Sequence, residues 1–177
     1  MMKLHKQVDI LNHKGLQILL NLASIPVFLL VLFGLIQFTG FNIFSIDLLQ
    51  LILIAVLLVA SLPIHELIHG LFFKLFHPKD RVKYGYAQGM LYATNPGRLY
   101  KRWQFMVIGI MPLILVTAIL AGAFLAGWLQ AAVFILVAAF HAAGCIGDLY
   151  FELLLIFSPV GSMVADTATG MAIYVAD

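Results

Sequence analysis

Apolar residues run along this chain in long unbroken stretches, with hardly any polar punctuation inside them. Four stretches, 16–38, 46–76, 105–126 and 129–157, reach the length of roughly 20 residues that a helix needs to cross about 30 Å of hydrocarbon. No water reaches backbone groups at that depth, so each stretch is predicted to be a helix. Pro26 predicts a kink in the first, and the second is long enough for tilt or overhang. Thr39-Gly40-Phe41-Asn42 and Gly127-Trp128 supply turns after the first and third spans. The predicted fold class is therefore an all-α membrane protein, a single domain over 1–177 with four transmembrane helices.

Composition agrees with that pattern. The 177 residues are 63% hydrophobic and 10% charged, whereas soluble domains are about a quarter charged. The first run starts only near Leu16 and exceeds the apolar core of a signal peptide, so a retained anchor is expected. The single cysteine, Cys145, excludes disulfides, and it excludes a Cys-based zinc site, which needs two to four thiolates.

Net charge says little, but its placement says more. Lys3, Lys6 and Lys14 precede the first span; Lys74, Lys79, Arg81, Lys83, Arg98, Lys101 and Arg102 close the second span or follow it. The positive-inside rule then puts the N-terminus and the central loop in the cytoplasm, and an even number of spans returns the C-terminus there. The expected location is the cell membrane, multi-pass.

Two segments lie outside the spans. In the central loop, 77–102, tyrosines stand at even positions from Tyr84 to Tyr92 around Gln88-Gly89, which predicts a short β-hairpin over 82–94. The tail from Ser158 is mixed in composition without clear periodicity, and no element is expected there.

Candidate chemistry sits inside the second span, as His65-Glu66-Leu67-Ile68-His69. On a helix, histidines four apart lie one above the other on one face, where their nitrogens can share a Zn2+. Glu66 can then take a proton from the metal's water, leaving a nucleophile for a peptide carbonyl. Burying such groups in hydrocarbon costs about 2.5–3.5 kcal/mol for an acid at a helix centre, and a metal is the obvious partner that offsets it. The plainer reading is polar side chains that bond between helices.

A catalytic zinc needs a third protein ligand and an open position. His141, Asp148 and Glu152 lie deep in the fourth span. Asp148 stands about as far from its span's cytoplasmic end as His65 and His69 do from theirs, roughly 10–14 Å below the boundary, and is the expected ligand. His141, two turns earlier, is a candidate to bond a ligand, position substrate, stabilise an oxyanion or serve as a fourth ligand. The plainer alternative is a histidine satisfied by a neighbouring helix. Glu152 is expected to pair with a cation of the central loop, and Gly144 and Gly147 to permit close helix packing.

His65-Glu66-Leu67-Ile68-His69-Gly70, Met111-Pro112, His141 through Gly147-Asp148, and Asp166-Thr167 with Gly170 and Tyr174 together resemble a bacterial family of small membrane proteins described as zincin peptidases. That family is distantly similar to the site-2 intramembrane metalloproteases. The resemblance implies zinc held by His65, His69 and Asp148, with Glu66 as base. The aspartate's setting differs: Gly147-Asp148-Leu149 replaces the Leu-Asp-Gly of site-2 proteases, and His141 stands where they have an asparagine. The likeness also implies that the 84–94 hairpin offers a strand edge to an extended substrate; the alternative is a loop that caps the helices. Asp166 is expected to be solvated.

The function expected is a zinc-dependent intramembrane or membrane-proximal peptidase. The partners expected are membrane lipid and a peptide or membrane-protein substrate, with no nucleic acid. The alternative is a catalytically inactive metal-binding membrane protein with a regulatory or structural role; a transporter is the weakest reading.

Overall fold

Polar residues at the edges of the apolar runs decide where helices begin. In the computed structural model, which describes residues 2–41, 46–87, 89–167 and 169–176, His13 Nδ1 accepts the Leu16 N–H at 3.0 Å ahead of α1 (Lys14–Thr39). Before α2 (Leu48–Phe76), Asp47 and Gln50 cap each other: the aspartate accepts the Gln50 N–H at 2.8 Å and Gln50 Oε1 accepts the Asp47 N–H at 3.0 Å. The Lys101 N–H donates to Gln104 Oε1 at 2.9 Å where α3 (Arg102–Leu125) starts. All three helices are long and apolar enough to cross a membrane, and each runs on through an internal proline.

The last apolar run does not form the continuous helix expected over 129–157. It breaks at Cys145 into α4 (Ala131–Gly144) and α5 (Ile146–Ile156), bent by 51°. Gly144 and Gly147 bracket the break, and glycine weakens a helix by about 1 kcal/mol relative to alanine. The packing role expected for these glycines does not hold: a Cβ on Gly144 would meet nothing within 4 Å, and one on Gly147 only Ile10 at 3.9 Å. Counted as one span, the bent pair brings the candidate spans to four.

α4 is the central helix. It touches α1, α2 and α3, and Ala132 through Ala139 is buried nearly all round, whereas α1 and α2 expose leucine, isoleucine and phenylalanine along their outer faces. A helix apolar on every side has no surface to give to water.

The all-α expectation is corrected by two sheets. The central loop forms the expected hairpin, β2 (Lys83–Ala87) against β3 (Met90–Thr94), with Gly89 at φ +87° in the turn. The second sheet was not foreseen. It runs β1–β6–β5–β4, all antiparallel, from β1 (Met2–Asp9), β4 (Leu99–Lys101), β5 (Met163–Thr167) and β6 (Gly170–Ala176). Its inner strands hide the period of two: Gly170, Met171, Ala172 and Ile173 are buried in succession, so no alternation marks the strand. Val164, Met171 and Ile173 join Phe73, Tyr100, Phe105, Ile108 and Leu155 in one buried cluster, which seats the sheet on the helix ends. Asn42 and Gln88, placed in turns by the sequence, lie outside the described residues.

Gly170 pairs with Asp9 across the β1–β6 ladder, and the strands lie so close that an added Cβ would stand 2.0 Å from the neighbouring Val8 carbonyl oxygen. Gly170→Ala should therefore cost about 1–3 kcal/mol by overpacking, while Gly144→Ala should be neutral or stabilising. Thermal unfolding of both variants in detergent checks the contrast; equal midpoints would contradict the register.

Candidate metal centre

Helical periodicity stacks His65 and His69 on one face of α2, and the bend at Cys145 turns α5 so that Asp148 meets them. His65 Nε2 and His69 Nε2 stand 3.0 Å apart. The Asp148 carboxylate closes the triangle, with one oxygen 3.2 Å from His65 Nε2 and the other 3.4 Å from His69 Nε2. All three side chains are mostly shielded from solvent.

These distances can be set against zinc. Donors about 2.0–2.1 Å from a tetrahedral ion stand about 3.3 Å apart, and the three edges bracket that value. The surroundings agree. His69 Nδ1 lies 2.9 Å from the Ile108 carbonyl oxygen, to which only an N–H can donate, so the neutral ring keeps a bare lone pair on Nε2. His65 Nδ1 lies 3.4 Å from His141 Nε2. With Nε2 of His65 turned into the triangle, its Nδ1–H donates and His141 accepts. Two imidazoles and a carboxylate are a donor set that catalytic zinc uses, and the residues fit the ion.

Of the other candidates, His141 is buried on α4 against the back of the His65 ring and does not enter the triangle. It forms a second donor group with His65 and Cys145, whose Sγ is 3.8 Å from His65 Nδ1 and 3.9 Å from His141 Nδ1. Cys145, set aside on the sequence for want of further thiols, thus stands beside the centre. The backbone N–H of Ala93, on β3, lies near the Glu66 carboxylate. Tyr84, on β2, lays its hydroxyl over Gly70, where a Cβ would come within 1.8 Å of the oxygen. The hairpin thus covers the motif helix.

Two expectations fail here. Glu152 pairs with no loop cation: it is buried beside Gly109 of α3, and its Oε1 has no hydrogen-bond partner among the described residues. Asp166 is only partly solvated and is held by the hairpin. Its Oδ2 accepts from Thr94 Oγ1 at 2.5 Å and from the Asn95 N–H at 2.7 Å, because β5 passes beside the end of β3. In the same layer Asn95 reaches the buried Tyr100 hydroxyl, and Arg98 grips Asp80 through two bonds of 2.5 and 2.7 Å. The guanidinium beside Asp80 holds its carboxyl below the usual range. Burial pushes the Tyr100 hydroxyl up to about 12.

With this geometry in hand, the family described as "Putative zincin peptidase" matches residues 57–163, which covers most of α2, the hairpin, β4, α3, the bent pair and the start of β5. The chain belongs to that family, which implies a zinc metallopeptidase acting on peptides. No curated protein and no solved structure is significantly similar to it.

Burial raises the Asp166 carboxyl to about 6, from 3.8 for an exposed aspartate. The folded chain then binds the proton more tightly than the unfolded one, so this group's contribution to stability falls as pH rises from about 4 to about 6 and is level above that. Asp166→Asn, which keeps an acceptor oxygen, should remove that slope. Thermal midpoints of wild type and variant across this window check it, and a pH-independent difference would contradict it.

Proposed function

We propose that the chain is a multi-pass membrane zinc peptidase in which His65, His69 and Asp148 hold the metal and Glu66 is the general base. The convergence of two imidazole nitrogens and a carboxylate at 3.0–3.4 Å, within helices apolar enough for a bilayer, is the observation that carries this reading. Its ligand set is the one implied by the resemblance to site-2 proteases.

Membrane placement draws support from the sheet. β1, β4, β5 and β6 bring the N-terminal segment, the central loop and the tail into one layer at one end of the helices. Lys3, Lys6 and Lys101 lie on strands of that layer, and Arg98 beside it. The positive-inside rule assigns this end to the cytoplasm, with both termini.

Zinc, when bound, supplies a Lewis acid that acidifies water and polarises a carbonyl. The remaining steps fall to the chain. Asp148 neutralises part of the metal's charge, and Ile108 and His141 fix the two rings. Glu66, next to His65 in the chain, takes a proton from the attacking water and returns it to the departing amine. The apolar helices exclude bulk water, which strengthens each of these charge interactions. The edge of β3 that pairs with no strand among the described residues, near Glu66, is where an extended peptide would lie by strand addition.

Metal analysis and cleavage of a quenched-fluorescent peptide library test the roles together. Glu66→Gln should keep about one zinc per chain and lose about 10²–10⁴-fold in rate; cleavage at the wild-type rate would remove Glu66 from the mechanism. Asp148→Ala should lose the metal. Cys145→Ser should retain it, and loss of zinc there would instead favour the group of His65, His141 and Cys145.

A further inference from the structure

Asp166 belongs to a part of the chain that the chemistry proposed above leaves unused. It is half-buried, and a carboxylate withdrawn from water persists only where hydrogen bonds compensate it. Its two donors, Thr94 Oγ1 and Asn95 N, come from consecutive residues where β3 ends, and both residues are themselves almost fully buried. One residue earlier, the Ala93 N–H lies near the Glu66 carboxylate. Among the described residues the hairpin shares no ladder with the four-stranded sheet, so side chains fasten it. Asp166 from β5 holds the Asn95 backbone, and Tyr100 from β4 receives the Asn95 side chain.

We propose that Asp166 is a positioning residue: it clamps the end of β3 so that the Ala93 N–H orients the Glu66 carboxylate and the hairpin stays seated over the metal centre. This rests on the peptidase reading for its catalytic consequence, but not for the clamp itself. The tail thereby reaches the base through one strand end, and anything that draws β5 away from β3 loosens Glu66 without touching a metal ligand. A base free to rotate spends less of its time aimed at the water, so the loss falls on kcat and not on KM.

Hydrogen exchange followed by mass spectrometry on the zinc-loaded full chain in detergent tests the clamp without reference to cleavage. Asp166→Ala should speed exchange in peptides covering 90–95 by about tenfold, the effect of losing about one hydrogen bond of local stability. Peptides covering 163–167 and 170–176 should stay within about twofold of wild type, as should zinc content. Asp166→Asn, which retains an acceptor, should restore the wild-type pattern. Thr94→Val, which removes one donor and keeps the β-branched shape, should fall between and serves if Asp166→Ala does not fold. Unchanged exchange over 90–95, or equal acceleration through both sheets, would overturn the proposal. In the peptide-library assay, kcat should fall for Asp166→Ala with KM unchanged and recover in Asp166→Asn. If wild type cleaves nothing while the exchange pattern holds, the clamp stands and the peptidase reading fails.

Discussion

Atoms that carry lone pairs do not gather at 3 Å unless something positive lies between them. His65 Nε2, His69 Nε2 and the Asp148 carboxylate do gather so, with edges of 3.0, 3.2 and 3.4 Å, in predominantly apolar helices. A buried charge without a partner costs several kcal/mol, so the arrangement requires a cation or shared protons. Much of the surrounding structure follows from making this triangle close. The bend at Cys145 turns α5 inward, the Ile108 carbonyl fixes one ring, and His141 sits behind the other.

The sheet layer packs on the same centre from the helix ends. Strands from the two chain ends and the central loop make one sheet, seated on the helix ends through Phe73, Phe105 and Leu155. The hairpin is held between that sheet and the motif helix: Asp166 and Tyr100 grip Asn95 on one side, and Glu66 and Gly70 receive Ala93 and Tyr84 on the other. Gly70, next after the second histidine, leaves room for the tyrosine hydroxyl. Short contacts of this kind couple the packing of the layer to the orientation of a single carboxylate.

What the sequence disclosed and what it hid divide along physical lines. Long apolar runs and the two-histidine motif are strong local signals, and the tyrosine alternation around Gln88-Gly89 marked the hairpin. Strand β6 was hidden because a strand buried on both faces loses its alternation. β1 was hidden because an edge strand rich in lysine reads like a solvated segment. The break at Cys145 had a visible signal in Gly144 and Gly147, but in a uniformly apolar run two glycines read equally as packing residues. Asp166 and Glu152 were misplaced for a shared reason: a lone acid near a chain end or a basic loop looks solvated or paired until tertiary contacts bury it.

Zinc-edge X-ray absorption on the purified full chain tests the central claim most directly, because it reports ligand type without any assay of function. A first shell of nitrogen and oxygen donors at about 2.0–2.1 Å, with imidazole scattering from two histidines and no sulfur, is the result that His65, His69 and Asp148 predict. A sulfur scatterer at about 2.3 Å would place the metal on Cys145 and His141 and contradict it.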